Sequence, residues 1–140
     1  MNVYLACTVR GDRGALASTR AVAAHLEQSG HAVLTSHLLD DGVDAAESAL
    51  TERDVFDRDM EWLDRADVVI AEASGSSFGV GFEVGYSLGV GRPVLLLYDA
   101  ARRTQVSRLI VGNAHPRCRT YGYSTREDLL QTVEEFLCTR

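Results

Sequence analysis

Two carboxylates in this chain stand where a carboxylate needs a reason. Glu83 follows a short apolar run, Asp67 to Glu72, and a loop of small residues, Ala73 to Gly79. It sits about one turn into the helix predicted next, which ends near Gly91. The run reads as a parallel strand covered on both faces. Small loop residues let backbone N–H groups approach an anion at the helix N-terminus. Ligands of open α/β sheets bind at that end of the strands, so Glu83 would lie beside one. On position alone, an acid near a helix start is also what the macrodipole favours. Asp59 is the second. Val55, Phe56, Trp62, Leu63 and Ala66 form an apolar stripe at i, i+3, i+4 spacing, and Asp59 falls in its middle. A carboxylate there is costly unless it faces a polar cavity or is paired, with Arg20 and Arg58 as available partners.

Anion-binding chemistry has further candidates. Thr8-Val9-Arg10-Gly11-Asp12-Arg13-Gly14 follows the first apolar run, where glycine and arginine can form an anion-binding turn. Neither G-x-G-x-x-G nor G-x-x-x-x-G-K is present, so that loop is a weak signal by itself. By itself Arg10 reads as a surface arginine; taken with Thr8, Gly11 and Ser77 it makes a plausible phosphate clamp, and Ser77 doubles as an N-cap. His37, just past a strand end, reads as structural or loop-bound, or as lining a base pocket. Tyr4 in the first strand reads as core, as do Phe56 and Trp62.

These residues need a scaffold, and the rest of the chain spells one out. Strands are expected at Val3 to Cys7, His31 to Thr35, Asp67 to Glu72, Val94 to Tyr98 and Cys118 to Tyr121. Helices are expected over Leu16 to Ser29 with a stop at Gly30, Thr51 to Arg65 capped by Thr51 or Ser48, Thr104 to Val111, and from Ser124 onward. Ser124-Thr125-Arg126-Glu127 has the form of a capping box. The acidic segment from Leu38 to Leu50 reads as a solvated loop, with a lid as the alternative. Gly81, Gly85 and Gly89 recur every four residues, which suits close packing against the sheet or a second subunit. Alternating strands and helices give a three-layer α/β, Rossmann-like (flavodoxin-like) fold with a five-stranded parallel sheet, as one domain over residues 1–140.

Bulk properties narrow the function classes. A net charge of −6 and no basic patch argue against a nucleic-acid polymer as partner. All fourteen basic residues are arginine, which reads as compositional bias. Cys7, Cys118 and Cys138 lack metal-like spacing and a C-x-x-C pair, so reduced thiols in a cytoplasmic protein are expected, with no metal. No signal peptide and no bilayer-spanning run are expected.

V-Y-L-A-C-T-V-R-G at 3–11, T-S-H at 35–37, D-M-E-W-L-D-R-A-D-V-V-I-A-E at 59–72 and S-F-G-V-G-F-E-V-G at 77–85 carry a resemblance. S-R-L-I-V-G at 107–112 is a weaker block. The sequence resembles the nucleoside 2-deoxyribosyltransferase superfamily, above all its 2'-deoxynucleoside 5'-monophosphate N-glycosidase (Rcl-type) branch. The resemblance implies hydrolysis of a nucleotide's N-glycosidic bond without a cofactor. It implies Glu83 as nucleophile at the anomeric carbon and Asp59 as the residue that orients the sugar or assists proton transfer to the base. Tyr4 would position Glu83, and Thr8, Arg10, Gly11, Ser77 and Gly79 would hold the 5'-phosphate. Ser107 would come from the neighbouring protomer of a homodimer. Thr8 stands where serine is usual, Cys7 where glycine is and Ser76 where proline is, which touches sugar and base preference more than reaction type. Two other readings remain: a 2-deoxyribosyltransferase, and a nucleotide-binding module without catalysis.

Overall fold

The computed structural model describes residues 1–139. β1 (Asn2–Ala6), β2 (Ala32–Val33), β3 (Val68–Glu72), β4 (Val94–Asp99) and β5 (Cys118–Tyr123) form one all-parallel sheet in the order β2-β1-β3-β4-β5. The helices are α1 (Leu16–Gln28), α2 (Val43–Ser48), α3 (Glu52–Arg65), α4 (Phe78–Gly89), α5 (Arg108–Val111) and α6 (Arg126–Cys138). Side chains alternate across a strand, and the core divides accordingly. Val3 and Leu5 of β1, with Val68, Ile70, Leu95 and Leu97, pack under Val22 and Leu26 of α1 and Leu129, Val133 and Phe136 of α6. Tyr4 and Ala6, with Val69, Ala71 and Leu96, face Leu63 of α3 and Val80 and Val84 of α4. This is the expected three-layer, flavodoxin-like arrangement. Strand order reverses between β1 and β3, so their C-terminal ends open a crevice there.

Several local readings change. β2 is ladder-bonded for two residues only. Beyond it the Thr35 hydroxyl accepts from the Leu5 N–H and donates to the Leu5 carbonyl, taking the place of a ladder pair. The 38–50 segment is not a solvated loop: a 3-10 turn (Ser36–Leu39) and α2 bury Leu38, Leu39, Val43 and Glu47. Residues 100–105 form another 3-10 turn, and α5 begins only at Arg108. Thr51 caps α3 in a capping box with Asp54. On α6 the cap is Thr125, whose hydroxyl accepts from the Asp128 N–H; the Asp128 carboxylate accepts from the Ser124 N–H rather than from the N-cap's own, so the cap lies one residue later than the sequence form suggests and the reciprocal box is not closed. Phe56 is not core but half exposed, against Phe82. Gly81, Gly85 and Gly89 face open space rather than the sheet. No described helix is long and apolar enough to cross a membrane.

Candidate active site

The crevice holds a cavity of about 630 Å³, lined among others by Cys7, Val9 and Arg10 after β1, Glu47 of α2, Arg58 and Asp59 of α3, and Ser77, Gly79 and Glu83 of α4. That size suits a small-molecule ligand. Four elements therefore meet at one wall, and each arrives for a local reason. Ser77 starts α4 by accepting from the Val80 N–H at 3.3 Å. Glu83, one and a half turns on, points at the same sheet face as Tyr4. Tyr4 itself is fully buried because odd and even residues of β1 face opposite layers.

The Tyr4 hydroxyl donates to Glu83 Oε1 at 2.6 Å. Glu83 Oε2 is shielded from water and has no partner among the described residues. Burial pushes the Glu83 carboxyl up to about 7; the Tyr4 bond opposes this and the nearby Asp59 charge adds to it. Burial, the Glu83 charge and the bond to it raise Tyr4 far above its usual range, so it stays a donor. Asp59 is also raised by burial, against the bond and charge of Arg58. Arg58 Nε and Nη2 both donate to Asp59 Oδ1, at 2.9 and 2.8 Å. Asp59 is thus both paired with an arginine and on the cavity wall.

The anion-binding candidates divide. Arg10 reaches the cavity rim and pairs there with Asp44 of α2 at 3.2 Å, both largely exposed. Thr8 is buried beside Cys7 in a small neighbouring pocket, and Gly11 has a φ of +104° that other residues rarely adopt. The loop after β3 comes against this turn: a Cβ on Gly75 would sit 2.7 Å from the Asp12 carbonyl oxygen. Cys7 lines the main cavity, its thiol pushed up to about 11 by burial. His37 is not on the cavity wall; its ring packs on Trp62 with centroids 4.8 Å apart. Ser107 is not there either. It is exposed in a second hollow of about 480 Å³, with Leu109 and Ile110, which shares Ser76, Ser77, Phe78 and Val80 with the first. Among the described residues no group of three or more His, Cys, Asp or Glu could hold a metal ion.

Three features escaped the sequence reading. Glu47 of α2 grips Arg58, and nothing in the sequence places it near Asp59. Glu72, buried at the end of β3, accepts from the Ser74 hydroxyl and N–H and from the Tyr123 hydroxyl, while Ser74 Oγ accepts from the Asp99 N–H. This network braces the 73–79 loop from below. Phe78 is entirely exposed on the ridge between the two hollows.

Known proteins are similar to this chain in sequence or in fold. A protein of Thermofilum pendens provisionally named 2'-deoxynucleoside 5'-phosphate N-hydrolase 1 is 42% identical over 137 residues, covering 98% of this chain and 95% of the relative. The 5-hydroxymethyl-dUMP N-hydrolase of Danio rerio is 31% identical over 137 residues, covering 96% and 94%. The solved CMP N-glycosidase of Clostridium botulinum shares the fold, with a TM-score of 0.71 at 18% identity over 97% of this chain and 99% of that one. The model of the nucleoside 2-deoxyribosyltransferase family matches residues 3–131. On that match and those identities, the chain belongs to the nucleoside 2-deoxyribosyltransferase family.

Proposed function

We propose that the protein hydrolyses the N-glycosidic bond of nucleoside or deoxynucleoside 5'-monophosphates, releasing the base and the sugar 5-phosphate. The observation that carries this is Glu83: one carboxylate oxygen held by Tyr4 at 2.6 Å, the other dry and unpartnered, on a cavity wall shared with Asp59. The names of the relatives support the same substrate class.

In this reading ionised Glu83 attacks the anomeric carbon as the bond to the base breaks, trapping an oxocarbenium-like centre as a glycosyl ester. The electron pair of the broken bond leaves with the base, which takes a proton; Asp59 orients the sugar or assists that transfer. Water then attacks the ester, gives up a proton, and frees Glu83. Thr8, Arg10, Gly11, Ser77 and Gly79 hold the phosphate near the α4 N-terminus, where peptide N–H groups favour an anion. The exposed Phe78, Phe82 and Leu109 and the open glycine face of α4 favour a homodimer in which Ser107 serves the neighbouring protomer's site.

The test is to incubate the protein with a panel of ribo- and deoxyribonucleoside monophosphates and separate products by chromatography, with and without free acceptor base. Hydrolysis predicts free base and sugar phosphate in both cases. Acid quenching and peptide mass analysis should find the sugar phosphate on the Glu83 peptide. Transfer from unphosphorylated nucleosides without action on monophosphates would assign a transferase instead. Binding without base release would leave a non-catalytic module.

A further inference from the structure

Residues adjacent in a helix point about 100° apart and do not normally face one another. Arg58 and Asp59 are adjacent in α3, yet two guanidinium nitrogens converge on one aspartate oxygen. Something else must fix the guanidinium, and three contacts do. Its Nη1 and Nη2 donate to Glu47 Oε1 and Oε2 of α2 at 2.6 and 3.3 Å. Its central carbon lies 4.8 Å from the Trp62 ring centroid. Trp62 is in turn backed by the His37 ring. The Arg58 and Glu47 side chains are only 20% and 10% exposed, so this is a desolvated fork and not a surface pair. Both bonds to Asp59 fall on Oδ1, which leaves Oδ2 without a hydrogen-bond partner among the described residues.

We propose that Arg58, anchored by Glu47 and Trp62, is a positioning residue that presents Asp59 to the substrate with one oxygen locked and the other free. The proposal rests on Asp59 acting in the Glu83 cavity. It assigns work to α2 as well: this short helix over the site supplies the carboxylate that aims the guanidinium. The groups facing Asp59 are Arg58 on its own helix, Glu47 on α2, His37 on the 3-10 turn, Tyr4 on β1 and Glu83 on α4. Arg58 is the cation bonded to it, so its loss should make Asp59 easier to protonate.

Two measurements on the full chain test this. The first is independent of turnover: titration of ¹³C-labelled aspartate by NMR, with the Asp59 signal assigned by its absence in Asp59→Asn. In Arg58→Gln the Asp59 midpoint should rise by about one pH unit or more, whereas Glu47→Gln, which removes a like charge and leaves an amide oxygen to hold Arg58, should not raise it. An unchanged midpoint in Arg58→Gln overturns the proposal. The second is a kinetic double-mutant cycle. Arg58→Gln should lower kcat at least about tenfold with KM within about threefold, and should cost almost nothing further in the Asp59→Asn background. Full multiplication of the two losses would mean that Arg58 acts only on folding or elsewhere in the site, and would also overturn it. Should the wild type release no base while the NMR shift appears, the reaction assignment falls and the Arg58 geometry stands.

Discussion

Glu83→Gln separates the stability of this fold from its chemistry, and the size of the effect follows from the site. Folding moves the Glu83 carboxyl from its ordinary 4.5 to about 7, chiefly by burial. The folded state therefore prefers the protonated acid. Its contribution to stability is fully present below pH 4.5, falls as the pH rises, and is gone once the pH passes about 7. At ~1.4 kcal/mol per pH unit, the wild type gives up about 3 kcal/mol across that window. Glutamine cannot ionise, and its amide oxygen can still accept from Tyr4, so the variant should give up none of it. Whatever the amide nitrogen costs in the dry Oε2 position is the same at every pH and cancels. Melting temperatures of wild type and variant should be compared at pH 5 and pH 8.5. About 2.5 kcal/mol of that loss falls between pH 5 and pH 8.5, so the variant should gain roughly 8 °C on the wild type between the two, taking about 3 °C per kcal/mol for a chain of this length. Base release should meanwhile be lost, with nucleotide binding still measurable. A melting difference that stays constant across the window would refute the buried-carboxyl argument. Near wild-type turnover would refute the nucleophile.

Other outcomes can be checked alongside. The ascending limb of kcat/KM should lie near pH 7, where Glu83 ionises; Tyr4→Phe removes a bond that favours the anion, so the limb should move to higher pH in a pH–rate profile. Gly75→Ala should destabilise the fold by about 1–3 kcal/mol in denaturant titration, because its methyl would meet the Asp12 carbonyl at 2.7 Å. Neither Glu83→Gln nor Ser107→Ala should hydrolyse well alone, yet mixing them after co-refolding should restore activity if sites are completed across a dimer; no recovery would put Ser107 outside the partner's site. Leu109→Asp, on the same exposed face, should shift light-scattering mass toward the monomer.

The parts of this architecture that are readable from the amino acids are those where local pattern and tertiary role coincide. The 66–93 stretch is one, since a fully buried strand, a small-residue loop and a helix each leave their own signature. Asp59 is another, because a carboxylate in an apolar stripe announces a cost. What is not readable is tertiary. Nothing local shows that Leu38, Leu39 and Val43 are covered, or that Glu47 finds Arg58, so the acidic segment reads as solvated. Phe56 fits the helical stripe but stands half exposed, with Phe82 as its ring neighbour. The glycines of α4 have the spacing of a packing seam, yet that seam faces outward. Ser124 and Thr125 are equally good caps on paper, and the choice between them is made by reach. The Thr125 hydroxyl meets the Asp128 N–H, whereas Ser124 contributes only its own N–H to the Asp128 carboxylate.

The ion pair between Arg10 and Asp44 gives the site a built-in competition. In the proposed reading Arg10 receives the phosphoryl group, and it would do so with a carboxylate of α2 already on its Nε and its two terminal nitrogens left for the ligand. An anion bound to those nitrogens would share the guanidinium with Asp44, and its charge would weaken the tether of α2 to the opposite rim. Entry of the charged end of a ligand and loosening of the cover above it would then be one event. Inorganic phosphate or sulfate in the assay buffer would trigger that event without a sugar attached, so rates measured in such buffers would understate the enzyme.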